Sequence, residues 1–134
     1  MIIIEDSDKL FIQNPDYVID YLKKRKVNNL DYYLLIKNNR FGLIKNVKFD
    51  VNNIEYNMSH LLGCSQNPGY DIIKANNNLK TLSSNELAIG VVEGDDIVCY
   101  DLKGDFVFLY LIENGDGEKV IITKSLSKFI KLFN

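Results

Sequence analysis

The sequence has few of the residues from which catalytic and metal sites are most often built. Its 134 residues include one histidine, two cysteines, two prolines and no tryptophan. Cys64 and Cys99 lack the close spacing of a metal or redox motif, so we expect buried free thiols in a reducing compartment. A catalytic histidine needs an acid and a nucleophile arranged around it, and no pattern places them around His60. The sequence therefore favours a binding protein over an enzyme and predicts neither cofactor nor metal.

Long hydrophobic runs and a strong excess of one charge are also missing. No apolar run approaches the ~20 residues that a membrane helix needs, and the formal net charge is −2. Attraction of the whole protein to nucleic acid or to an anionic membrane is therefore not expected. The opening Met1–Ile4 is too short for the apolar part of a signal peptide and is followed at once by Glu5 and Asp6. These features predict a cytoplasmic protein.

The first third of the chain predicts two helices. Asn14-Pro15-Asp16 supplies an N-cap, a proline at the first helical position and an acid near the positive end of the dipole. This helix should end near Lys26, after a run of four cations. Leu30, Tyr33 and Leu34 mark a second helix that should end around Asn38-Asn39.

Strand patterns dominate the remainder. From Leu43 the apolar residues alternate, and a turn over 50–53 should precede a strand that starts at Ile54. The segment 58–78 has the weakest pattern, with a short helix expected around Ile73. Leu87–Ile112 then contains three apolar runs separated by Gly-Asp turns, which predicts an antiparallel meander. Val120–Ile122 is either a last short strand or an extended lead-in.

Ser125 should cap a terminal helix, whose apolar positions at i, i+3, i+4 and i+7 are Leu126, Phe129, Ile130 and Phe133. Phe106–Ile112 is apolar on both faces, as expected for a central strand covered by that helix. The sequence thus predicts one α+β domain over residues 1–134. Its antiparallel sheet would have N-terminal helices and a C-terminal helix packed around it.

Charge is distributed unevenly along the chain. Nine acids and one base, Lys103, fall between Glu86 and Glu118, whereas eight bases and one acid fall between Lys23 and Lys48. The acids are either turn-forming carboxylates in solvent or an acidic surface that complements a basic partner. A calcium loop is not indicated, because Lys103 stands where a ligand would be needed. The candidate partner-binding acids are Glu93, Asp95, Asp96, Asp101 and Asp105.

Two adjacent tyrosines add a candidate contact residue. On a helix, Tyr32 and Tyr33 diverge by about a hundred degrees, so at most one of them can lie centrally in the core. We include Tyr32 in the candidate surface, because tyrosine is favoured in interfaces. A partly buried tyrosine with a solvated hydroxyl explains the same pattern.

Several short motifs, in this order, resemble those of the SUKH superfamily. In that family a second helix ends in a glycine-containing turn, a strand follows with a Pro-Ile-Gly element, and the last helix opens with Ser-Phe-x-x-Phe. The similar elements here are Val27–Asn39, Ala88-Ile89-Gly90, Gly94-Asp95-Asp96, Tyr100-Asp101, Gly104–Val107 and Ser125–Phe129. The chain departs from the family at Asn39–Gly42, where a double glycine is expected, and at Ala88, which replaces the proline.

The resemblance implies an immunity protein that binds and neutralises the toxin domain of a neighbouring polymorphic toxin, possibly a nuclease. It implies inhibition by stoichiometric binding and no catalytic residues. The alternative is a cytosolic scaffold, like the family's regulators of cell-wall glucan synthesis. An enzyme that uses His60 is a third hypothesis, from a different class.

Overall fold

An antiparallel sheet and four helices make up the part of the chain that the structure, a computed structural model, describes: residues 3–4, 16–38, 40–64, 70–111 and 117–133. The helices are α1 (Asp16–Lys24), α2 (Leu30–Lys37), α3 (Ile72–Asn78) and α4 (Leu126–Lys131). The strands are β1 (Ile3–Ile4), β2 (Gly42–Lys45), β3 (Lys48–Val51), β4 (Ile54–Leu61), β5 (Glu86–Val92), β6 (Ile97–Asp101), β7 (Phe106–Leu111) and β8 (Glu118–Thr123).

The strand order is β1-β2-β4-β5-β6-β7-β8, and β3 pairs with the first half of β4. Every pairing between these strands is antiparallel. The predicted α+β class, with an antiparallel sheet and flanking helices, is confirmed. The predicted cap at Asn14-Pro15 lies outside the described residues.

The β3–β4 hairpin is closed by two residues with left-handed backbones. Asn52 and Asn53 have φ angles of 52° and 66°, as a two-residue turn with a type I′ twist requires. Asparagine tolerates this conformation because its short polar side chain bonds locally. The predicted turn is confirmed, and β4 continues to Leu61, into a segment where the sequence had no clear pattern.

The meander is confirmed over β5, β6 and β7. Strand β7 lies between β6 and β8, and its central residues Val107, Phe108 and Leu109 are fully buried. Helix α4 contacts β7 and β8, and the Ser125 hydroxyl caps it by accepting from the Lys128 N–H at 3.1 Å. All four predicted positions of the apolar stripe, from Leu126 to Phe133, are buried. The terminal helix therefore covers β7 as predicted, but β7 is next to the edge strand β8 and not at the centre of the sheet.

Helix α2 has the predicted bounds, but its inner face differs from the expected one. Leu30 and Leu34 are 72% and 46% exposed, whereas Tyr32, Leu35 and Ile36 are buried. The helix is apolar on nearly all sides, so periodicity could not choose a face. Tertiary contacts choose it: Asn29 caps α2 by accepting from the Tyr32 N–H and also donates to Ser127 Oγ at 3.0 Å. That second bond ties the start of α2 to α4.

Candidate functional site

The five candidate acids lie at two opposite ends of the sheet. A meander reverses direction at every turn, so consecutive turns alternate between its ends. Glu93, Asp95 and Asp96 are in the β5–β6 turn, whereas Asp101 and Asp105 flank the β6–β7 turn. Five strand residues separate the two sets by about 16 Å, at roughly 3.3 Å per residue. The five acids therefore do not form one continuous surface.

The end that carries Glu93, Asp95 and Asp96 also carries Glu118, because β8 starts where β7 finishes. We call these four residues the acidic end. A groove of about 370 Å³ runs beside it, between the β3–β4 hairpin and β8. Ile54, on this groove, is 55% exposed. The groove-lining residues are Val51, Asn52, Ile54, Tyr56, Asp96, Leu111, Glu118 and Val120.

Backbone geometry presents the acids of the β5–β6 turn to solvent. Gly94 and Asp95 have φ angles of 95° and 73°, and Val92 N–H donates to the Asp96 carbonyl at 3.0 Å. A Cβ at Gly94 would meet no atom within 4 Å, so glycine is required there by conformation and not by space. Glu93 and Asp95 are exposed on this turn. Their carboxylates are therefore available to a partner.

At the other end of β6, the acids stabilise their own turn. Asp101 Oδ1 accepts from the backbone N–H groups of Lys103 and Gly104, at 3.0 and 2.8 Å. Asp105 Oδ1 accepts from the Tyr100 hydroxyl at 2.8 Å. Burial, together with the bond to Asp105, raises the pKa of Tyr100. The interpretation as turn-forming carboxylates fits Asp101 and Asp105.

One further acid of the run, Glu86, is nearly buried at 5% exposure. Its Oε2 forms an ion pair with the Lys119 ammonium group, and its Oε1 accepts from the Ser83 N–H at 3.0 Å. Burial acts to raise the pKa of Glu86, but the bonds from Lys119 and Ser83 outweigh it, and the pKa is lowered. Glu86 is thus a paired interior charge and belongs to no acidic surface.

Tyr32 is a correction to the candidate surface. Its side chain is 2% exposed, and burial raises the pKa of its hydroxyl. Tyr33, which the sequence placed on the same face as Leu30, is the half-buried member of the pair and donates to the Val27 carbonyl. Tyr32 faces the interior because the Asn29 cap and the contacts with α1 and α4 fix the rotation of α2. It is therefore a core residue.

A buried polar contact that the sequence gave no sign of joins α1 to α3. The Tyr17 hydroxyl donates to Asp71 Oδ1 at 2.6 Å, and Asp71 Oδ2 accepts from the Lys74 N–H at 3.0 Å as the N-cap of α3. Asp71 is 2% exposed. Burial, with the bond to Asp71, raises the pKa of Tyr17. An acid just before a weak apolar segment was the available signal for this cap.

The other residues considered for a catalytic role are His60 and the two cysteines, and their contacts are those of structural residues. His60 stacks on Tyr70 with 4.4 Å between ring centroids, and its Nδ1 is 2.7 Å from Ser59 Oγ. Cys64 and Cys99 are buried thiols that form no disulfide, as predicted. Burial raises the pKa of the Cys99 thiol, which disfavours the reactive thiolate.

Within the described ranges, no three His, Cys, Asp or Glu residues are grouped so that they could hold a metal ion. None of the helices described has the length and hydrophobicity required to cross a membrane. Comparisons of the chain with protein-family models, with curated proteins and with solved structures find no match.

Proposed function

We propose that this protein is a cytoplasmic immunity protein of the SUKH type, which neutralises a toxin domain by binding it stoichiometrically. Two observations support the proposal. The chain carries motifs that resemble that superfamily, from Val27–Asn39 to Ser125–Phe129. It also presents an acidic end beside a groove on which Ile54 is half-exposed. The second observation carries most weight, because it indicates which chemical groups the partner would offer.

The partner would offer basic residues around an exposed apolar side chain. Exposed carboxylates at Glu93 and Asp95 would attract the partner and set its orientation, since complementary charge mainly raises the association rate and specificity. The half-exposed Ile54 would supply apolar contact area. A toxin that grips a phosphate backbone with lysine and arginine has a surface of this kind. Binding there would block the toxin's path to its substrate.

Coexpression tests the proposal. Cells would express the C-terminal domain of a large secreted or surface protein encoded beside this gene, with and without this chain. We expect survival to depend on this chain and the two proteins to copurify. Death in both cultures would reject that pairing and favour the alternative of a regulatory scaffold for a cellular partner.

Charge reversal tests the surface. Glu93→Lys combined with Asp95→Lys should weaken the toxin complex about tenfold or more at low salt, with most of the loss in the association rate. The matched control is Asp20→Lys, an exposed acid on α1, which should leave binding unchanged. Equal affinity of the double variant and the wild type, measured by surface plasmon resonance, would exclude the acidic end from the interface.

A further inference from the structure

A basic groove lies at the far end of the sheet from the acidic end, where α1, the loop before β5 and the β6–β7 turn meet. Its volume is about 520 Å³, within the range of ~300–1,000 Å³ that small-molecule sites occupy. The lining residues are Lys24, Arg25, Lys26, Ser84, Asn85, Leu102 and Lys103. We call this the basic groove.

Hydrogen bonds fix the walls of the basic groove to one another. The Arg25 guanidinium donates to the carbonyls of Glu86 and Ser84, at 2.9 and 3.4 Å, and so joins α1 to the loop before β5. Leu102 N–H donates to the Asn85 carbonyl at 2.8 Å, which joins the β6–β7 turn to the same loop. The groove is therefore organised before any ligand enters, and a ligand would meet a lower ordering cost.

None of the four cations that line the groove pairs with a carboxylate among the described residues. In the part of the chain that the structure describes, Lys24, Lys26 and Lys103 form no ion pair, since the pairs there are Lys48–Glu55 and Lys119–Glu86. The dipole of α1 favours cations in its last turn, which accounts for Lys24. It does not account for Lys103, which lies in the β6–β7 turn and not on α1.

Lys26 adopts a backbone conformation that lysine disfavours. Its φ is 62° at the residue where α1 ends in a Schellman motif, with Val27 N–H donating to the Leu22 carbonyl at 3.0 Å. Glycine is the usual residue there, because a Cβ is crowded in the left-handed region. Among the described residues, the other non-glycine positions with positive φ are all Asn or Asp. A lysine kept at a strained position beside unpaired cations points to a role for its charge.

We propose that the basic groove binds a small phosphate-bearing anion, held by the ammonium groups of Lys24, Lys26 and Lys103. Arg25 Nη2 already donates to two backbone carbonyls and Nη1 to the Tyr21 hydroxyl, so the groove does not offer the forked pair that recognises carboxylates. Ammonium groups act as point charges and suit the dense charge of phosphate. Leu102 and Asn85 are left to contact the remainder of the molecule. This site is independent of the proposed function, which uses the opposite end of the sheet.

Titration with inorganic pyrophosphate, followed by calorimetry and by ¹H–¹⁵N spectra, tests the site. We expect shifts centred on 24–26, 84–85 and 102–103. Lys26→Gly and Lys103→Gln should each weaken binding about three- to tenfold. Glycine relieves the strain at position 26, so that variant should unfold at the same or a higher temperature, and its loss of affinity would not reflect unfolding. Lys37→Gln is the matched control, since Lys37 is an exposed lysine in the last turn of α2.

Three results would overturn the proposal. One is a loss of affinity in Lys37→Gln as large as in Lys26→Gly, since it would indicate diffuse attraction. Another is pyrophosphate binding no tighter than acetate at equal ionic strength. The third is a single-stranded oligonucleotide that binds through the same lysines more tightly than pyrophosphate, which would assign the groove to nucleic acid.

Discussion

At the scale of single residues, Asn76 shows how a side chain can replace a strand. Its Nδ2 donates to the Ala88 carbonyl at 3.0 Å and to the Ile72 carbonyl at 2.8 Å, and its Oδ1 accepts from the Ala88 N–H at 2.8 Å. Strand β4 pairs with β5 only over Gly90–Val92, so Ala88 lies beyond its reach. The amide of Asn76 satisfies both backbone groups there, as a partner strand would.

Asn76→Ala should therefore destabilise the protein by about 1–3 kcal/mol, the usual cost of leaving buried polar groups unpaired. Urea unfolding measures this change. Asn77→Ala is the control, because Asn77 is exposed on the same helix and gains the same helix propensity. A cost for Asn77→Ala equal to that for Asn76→Ala would contradict the assigned role.

The ion pair between Glu86 and Lys119 predicts a pH-dependent stability. The pKa of Glu86 is lowered in the folded protein, so its contribution is present above the unfolded value of about 4.3 and is lost as pH falls through the folded value. Lys119→Met leaves a buried carboxylate without its cation. This variant should lose about 1–3 kcal/mol at neutral pH, and the difference from wild type should narrow as Glu86 becomes protonated.

Urea unfolding measured at intervals of about one pH unit, from about pH 3.5 to about pH 7, tests this expectation, because carboxylates titrate in the lower part of that range. Lys48→Met is the matched control, since Lys48 pairs with Glu55 at 3.4 Å while both side chains are more than half exposed. Its cost should stay within about 0.5 kcal/mol at every pH. A gap for Lys119→Met that does not change with pH would show that lost packing, and not the charge, causes it.

At the scale of elements, α2 allows a direct comparison between two adjacent leucines. Leu35 is 7% exposed and Leu34 is 46% exposed. Leu35→Ala should cost about 2–4 kcal/mol through the cavity it leaves, and Leu34→Ala less than about 1 kcal/mol. Denaturant midpoints of the two variants decide the point, because both lose the same atoms from the same helix. A larger cost at Leu34 would reverse the face assigned to α2.

Sequence patterns were sufficient for elements whose ends carry local signals. Ser125 with the apolar stripe of α4, and the Gly-Asp turns of the meander, are local, and both predictions hold. The inner face of α2 could not be predicted, because it depends on the distant contact between Asn29 and Ser127. The bond between Tyr17 and Asp71 joins residues that are 54 positions apart and could not be predicted for the same reason. The separation of Asp96 from Asp101 could have been found, since the predicted meander already places consecutive turns at opposite ends.

At the scale of the whole molecule, the acidic end and the basic groove lie at opposite ends of the meander strands, and Asp101 and Asp105 share the end that holds the basic groove. The acidic end has Glu93, Asp95, Asp96 and Glu118, and the basic groove is at the other end. A net charge of −2 conceals this arrangement. Two ligands of opposite charge could therefore bind the protein at the same time without competing directly.

Strands β6 and β7 should be among the most stable parts of the sheet. Strands β6 and β7 have a strand on each side, and Val98, Cys99 and Phe108 are fully buried. Their amide hydrogens should exchange only through global unfolding, whereas those of β8 should exchange through local opening. Native-state hydrogen exchange in low denaturant measures this difference. Equal protection in β7 and β8 would contradict it.

Asn76 has one more effect, which concerns encounters between copies of the protein. The part of β5 that β4 does not reach would otherwise expose unpaired N–H and C=O groups, which are a template for adding a strand from another chain. The amide of Asn76 occupies the groups of Ala88, and the Leu62 N–H donates to the Ile89 carbonyl at 2.9 Å. Substitution of Asn76 would therefore expose unpaired backbone groups at this sheet edge. The same change that weakens the fold would thus also promote aggregation.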